Sequence, residues 1–119
     1  MPVAIECRYR PGGAQDRLAI RHVHLEFMIA NKARVMAGGP STQGGELVGM
    51  FLLLSTDDPV EAEDFLAREP YARAGLFAEI RKTCFAGYLP EPREDFLNGL
   101  LEDAMAASAG SRDDKGNPG

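Results

Sequence analysis

The chain has 119 residues, 45% of them apolar and 26% charged, with a formal net charge of −5. Those figures describe one soluble domain with an ordinary core. The acidic balance argues against nucleic acid as a partner, because phosphate binding needs a basic surface. No apolar run approaches the ~20 residues that span a bilayer. The start, Met-Pro-Val-Ala-Ile-Glu-Cys, has no basic stretch and passes straight into alternation, which predicts no signal peptide and a cytoplasmic location. Cys7 and Cys84 are too few and too far apart for a disulfide framework or a zinc site. Two reduced, buried thiols are expected.

Residues 3–9 alternate, with Val3, Ile5, Cys7 and Tyr9 on one side and Ala4, Glu6 and Arg8 on the other. That is a half-buried strand, broken by Pro11-Gly12-Gly13. A single helix is predicted over residues 14–32 and a short strand over 34–37. Gly38-Gly39-Pro40 then ends the strand, and residues 41–46 read as a hairpin loop. Residues 47–55, L-V-G-M-F-L-L-L-S, are almost continuously apolar, so both faces of this strand should be covered. Asp58 is placed to cap the next helix, with Pro59 at its first position. Pro70 ends it, because a proline disfavours helical geometry in the residue before it. Residues 71–77 are compatible with one more helical turn, and 78–86 form the last strand. Pro90 and Pro92 mark a boundary. An amphipathic helix over 94–107 carries Phe96, Leu97, Leu100, Leu101, Ala104 and Met105, and a polar tail runs from Ser108 to the end, read as disordered.

The order strand, helix, strand, strand, helix, strand is the split βαβ, ferredoxin-like pattern. It predicts an α+β fold in which helices cover one face of a four-stranded antiparallel sheet, with an extra C-terminal helix. The domain is expected over 1–90, the added helix over 91–107 and the tail over 108–119. The uncovered sheet face is partly apolar, which predicts a homodimer packed through it.

The first helix holds an anomaly. On a helical wheel, Ile20, Val23, Phe27 and Ala30 form one apolar arc and Ala14, Leu18 and Leu25 another. Arg17, Arg21 and His24 lie between them, beside Met28, while His22, Glu26 and Ala19 face outward. Buried cations need a partner: a carboxylate, a hydroxyl, water or an anionic ligand. The competing reading is that both arginines reach out to water along their stems and His24 is a satisfied core residue. Glu69-Pro70-Tyr71 sets a carboxylate beside a phenol, either to orient a histidine or as a solvated helix end. Gly38-Gly39-Pro40-Ser41 allows close backbone approach to a ligand, or simply makes a turn.

Other chemistries lack their residues. There is no G-x-S-x-G for a serine triad and no phosphate loop. His22 and His24, two apart, point to different sides of a helix and make a poor metal pair. Cys7 on a buried strand face is a poor nucleophile. No metal or cofactor is expected.

R-x-x-H-L at Arg21 to Leu25, A-G-G-P at Ala37 to Pro40 and E-P-Y-A-R-A-G-L-F at Glu69 to Phe77 together resemble the YciI-like (YCII-related) family, within the dimeric α+β barrel group. The resemblance covers about residues 1–88 and leaves out the last helix. It implies a ferredoxin-like protomer, a homodimer and a site built on a His–Asp pair. The histidine falls on His24 and the acid on Glu69, where the family's usual form is D-P-Y. Glutamate keeps the charge but moves it by about 1.5 Å. One branch of the family resembles enzymes of chlorinated or hydroxylated ring-cleavage products and lactones.

The resulting expectation is a small cofactor-free enzyme. His24 would be general acid and base, because an ordinary imidazole titrates near 6.5, and Glu69 would fix its tautomer. Arg17 and Arg21 would bind the anionic group of a small organic acid or lactone, while Tyr71, Gly39 and Pro40 would shape the pocket. Isomerisation, elimination and hydrolysis all fit. The alternative is a non-catalytic dimeric binding or interaction module using the same pocket.

Overall fold

The strand over Val3–Tyr9 (β1) is an inner strand of the sheet, and its alternation sets the two sides of that sheet. The computed structural model describes residues 1–110. After β1 come a short helix Gly13–Asp16 (α1), a 3-10 turn Arg17–Ile20, the helix Arg21–Asn31 (α2) and a 3-10 turn Lys32–Arg34. A hairpin of Val35–Gln43 (β2) and Glu46–Leu54 (β3) follows. Then come helices Pro59–Arg68 (α3) and Pro70–Arg73 (α4), the strand Phe77–Cys84 (β4) and the helix Phe96–Gly110 (α5).

The sheet order is β2-β3-β1-β4, with every neighbour antiparallel. This is the ferredoxin-like α+β arrangement expected from the element order. Cys7 faces Met50 and Ile5 faces Leu52 across the β1–β3 pair. These residues, with Val3 and Leu54, pack under Ala62, Phe65 and Leu66 of α3 and Tyr71 of α4. The alternate residues Phe51 and Leu53 face the other side and remain half-buried, among exposed Glu6, Arg8, Glu79 and Arg81.

Local chemistry explains most boundaries. Asp58 accepts the N–H of Val60 at 2.9 Å and Pro59 opens α3, as its sequence requires. Glu69 repeats the device for α4: its backbone is extended, its carboxylate accepts the N–H of Ala72 at 2.8 Å, and Pro70 is the first helical residue. Lys82 of β4 pairs with Glu63 of α3. At the end of β1, Arg10 N donates to Leu76 O at 2.8 Å and its side chain reaches Gly75 O and Asp16. Those bonds fasten the segment after α4 to the end of β1 and to Asp16 of α1.

Four expectations are corrected. The helix over 14–32 is interrupted by the 3-10 turn, which advances about 120° per residue rather than 100°. Leu18 and Val23 are exposed, at 52% and 41%, while Ile20 and Phe27 pack on the core. Gly38-Gly39-Pro40 is not a turn but the middle of β2, which runs on to Gln43. Pro40 is tolerated because β2 is an edge strand. The reversal is made instead by Gly44 and Gly45, both at positive φ (59° and 81°), which suits a two-residue hairpin turn. Finally, Cys84 is exposed on edge strand β4, so only Cys7 is buried.

The described chain divides into two units, Met1–Ala86 and a second beginning at Gly87. Within the second, the ring of Tyr88 packs edge-on against Phe96, and Glu91 accepts the N–H of Leu97 near the start of α5. The helix continues past Ser108 to Gly110; the remainder of the expected tail, 111–119, lies outside the described residues. No helix among the described residues is long and apolar enough to cross a membrane.

Candidate active site

A cavity of about 420 Å³ opens between α2 and the β2–β3 hairpin. Its volume is ordinary for a small-molecule site. Arg17, Arg21, His24 and Lys32 line it from the helical side, and Gly38, Gly39, Pro40 and Met50 from the sheet. Tyr9 and Tyr71 line it as well.

His24 Nδ1 lies 2.5 Å from Glu69 Oε1. The carboxylate is fully buried, while the His24 side chain keeps 12% of its surface. A carboxylate in that position is met by an N–H on Nδ1, which leaves Nε2 as the nitrogen free to exchange a proton. The second oxygen of Glu69 is the cap of α4. One buried residue therefore ends a helix with one oxygen and orients a histidine with the other. The imidazole also lies flat on the ring of Tyr71, with centroids 3.9 Å apart and planes within 6°. Tyr9 meets Tyr71 edge-on at 6.3 Å and stacks on Phe77 at 5.1 Å. The aromatic group is thus braced from three sides.

The cations are not balanced within the site. Neither Arg17 nor Arg21 has a carboxylate within ion-pair distance among the described residues, and Arg17 Nη1 is buried with no hydrogen-bond partner. Glu69 is committed to His24 and Ala72 instead. Burial pushes the Tyr9 phenol up to about 12 and also raises that of Tyr71, with Arg17 pulling both back. Both phenols are therefore protonated donors at neutral pH. Burial likewise pushes the Cys7 thiol up to about 12, and Cys7 does not line the cavity.

All seven residues singled out in the sequence line this cavity or hold a residue that does: His24, Arg17, Arg21, Gly39, Pro40 and Tyr71 line it, and Glu69 lies behind His24. Gly38 is the tighter glycine, because a Cβ there would meet Leu52 Cδ2 at 2.8 Å, while one on Gly39 would meet nothing within 4 Å. Sequence reasoning missed Tyr9 and Lys32. Tyr9 carries the same alternation signal as the core residues of β1, and nothing local distinguishes it from them.

Fold and site together define an α+β protein with a histidine–carboxylate pair in a cationic pocket. Residues 1–85 match the YCII-related domain, and the chain belongs to that family. No curated protein sequence matches it. Among solved structures it is similar to 5-chloro-2-hydroxyhydroquinone dehydrochlorinase (TftG) from Burkholderia phenoliruptrix AC1100, in complex with 2,5-dihydroxybenzoquinone. The TM-score is 0.68 and the identity 27%, over 76% of this chain and 99% of that one.

Proposed function

We propose that this protein is a small acid–base enzyme of the lyase type, acting on a small anionic organic acid, hydroxylated ring or lactone. The observation that carries the reading is the 2.5 Å contact between Glu69 Oε1 and His24 Nδ1 beside arginines that lack carboxylate partners. His24 Nε2 takes a proton from a carbon or oxygen conjugated with the bond to a leaving group. The leaving group departs with its bonding pair, and a carbon–carbon or carbon–oxygen double bond forms. Glu69 stabilises the imidazolium through Nδ1–H, and the proton then passes to water. Arg17 and Arg21 hold the anionic part of the substrate. Tyr71 supports the imidazole face, and the backbone at Gly39 and Pro40 shapes the opposite wall. The scheme needs no metal or cofactor. Similarity to a dehydrochlorinase supports elimination over isomerisation or hydrolysis.

The test is turnover of a panel beginning with 5-chloro-2-hydroxyhydroquinone and extending to chlorinated muconate-type lactones, by wild type and His24→Ala. Loss of about 10²-fold or more in kcat is expected for the variant. Turnover undiminished in His24→Ala would remove the catalytic assignment. For the open sheet face bearing Phe51 and Leu53, we read a homodimer contact; light scattering at micromolar concentration that returns the mass of a single chain would reject it.

A further inference from the structure

Arg17 and Tyr9 line the same cavity, one bringing a guanidinium and the other a phenol. Arg17 sits in the 3-10 turn that interrupts the first helix, and its Nη1 is buried without a partner. The Tyr9 ring is fixed by Phe77 on one face and Tyr71 at its edge, and it lines the same cavity. The Tyr9 phenol feels the Arg17 charge and remains protonated at neutral pH. A buried donor left without an acceptor is costly, so such an arrangement persists where an acceptor completes it. Arg21 and Lys32, by contrast, are exposed.

We propose that Arg17 Nη1 and the Tyr9 hydroxyl form the anchor for one ionised oxygen of the substrate, in the cavity that His24 also lines. This deepens the acid–base reading and rests on it for the fate of the bound ligand. The substrate class it defines is a small acid whose ionised oxygen, a carboxylate or a ring enolate, is held by Arg17 and Tyr9 while its transferable proton meets His24 Nε2. A planar guanidinium and an O–H donor both favour a flat, negatively charged acceptor. Neutral analogues of the same shape would leave both donors unpaired and bind weakly.

Calorimetry on the full chain separates the possibilities, with 2,5-dihydroxybenzoquinone as the enolate probe and 2,5-dihydroxybenzoate as the carboxylate probe. Wild type should bind at least one, and the tighter one identifies which oxygen the anchor takes. Arg17→Met should weaken binding of that probe by about tenfold or more, Arg17→Lys should recover part of the loss, and Tyr9→Phe should weaken it severalfold. Thermal melts confirm that each variant is folded, and Arg17→Lys and Tyr9→Phe still read the site if Arg17→Met is not. Unchanged binding in Arg17→Met and Arg17→Lys, or no binding of either probe by wild type at millimolar concentration, overturns the anchor. Unchanged binding in Tyr9→Phe removes Tyr9 from it. The His24 assay is independent: full turnover by His24→Ala defeats the proton-transfer reading while leaving these dissociation constants, and the anchor, in place.

Discussion

Glu69 and His24 are 45 positions apart in the chain and 2.5 Å apart in the fold, and the same carboxylate caps the helical turn that carries Tyr71. Positioning of the imidazole and integrity of the α4 turn are therefore coupled through one buried side chain. Changes at Glu69 should affect both, in proportions that depend on what replaces it.

Glu69→Gln is expected to separate the two roles. The amide oxygen can still accept the Ala72 N–H, so the cap survives. The amide N–H₂ then faces Nδ1 and favours the tautomer with its proton on Nε2, where the base is needed. A fall in kcat of about 10²–10⁴ is expected, with a loss of stability of about 1 kcal/mol from the altered buried contact. Glu69→Ala should lose the cap as well, costing roughly a further 0.5–2 kcal/mol. Steady-state kinetics and urea unfolding on both variants check this.

Glu69→Asp introduces the residue usual in this family. An aspartate caps a helix as well as a glutamate does, but its carboxylate reaches about 1.5 Å less far. Here the oxygen near His24 should fall out of close contact. Stability within about 1 kcal/mol of wild type is expected, with kcat reduced roughly tenfold. Equal or higher kcat would mean that the chain relaxes to accept the shorter acid.

Gly49 and Gly39 should respond in opposite ways to alanine. A Cβ on Gly49 would run into the carbonyl oxygen of Cys7 across the β1–β3 pair, where neither backbone can give way. Gly49→Ala is expected to lose more than ~3 kcal/mol or to fail to fold. Gly39→Ala adds its methyl to open space, so its melting temperature should stay within a few degrees of wild type.

Stability should fall at alkaline pH for a stated reason. Burial raises Cys7 from an ordinary 9.0 to about 12, and Tyr9 from 10.0 to about 12. In the unfolded chain these groups release their protons first, so unfolding becomes easier once pH passes the unfolded value. Their contribution is complete below about pH 9 and is lost progressively as pH climbs towards about 12. Thermal melts between pH 8 and pH 11 should show the decline, shallower in a Cys7→Ala, Tyr9→Phe double variant than in wild type. A parallel slope in the two proteins would place the alkaline sensitivity elsewhere.

The same burial makes the two thiols unequal. Cys84 is exposed on β4, and Cys7 is enclosed under α3 and α4. A disulfide reagent at pH 8 should modify one thiol per native chain quickly and the second only on unfolding. Rapid reaction of both in the native protein would contradict the buried position of Cys7.

Much of this protein was legible in its sequence because the signals are local. Alternation marked β1 and the apolar run marked β3. Asp58-Pro59 marked the start of α3 through a cap and a fixed φ, both set within three residues. Element order then gave the ferredoxin-like fold, and three short motifs with the helical wheel named seven residues of the cavity or its support. Other features depended on the tertiary structure because they are set by which surfaces meet. A 3-10 turn interrupts the first helix, which a uniform wheel cannot anticipate. Gly38-Gly39-Pro40 looks like a turn, yet it extends as an edge strand because β3 supplies its partner and the free edge excuses the missing proline N–H. Glu69 serves two tasks because its cap position in the fold brings one oxygen to the Ala72 N–H and the other to His24. Tyr9 joins the site only because the fold sets its ring beside Tyr71 and Arg17. Chemistry along the chain named the groups; packing across it decided that Glu69 serves His24 and leaves the arginines free.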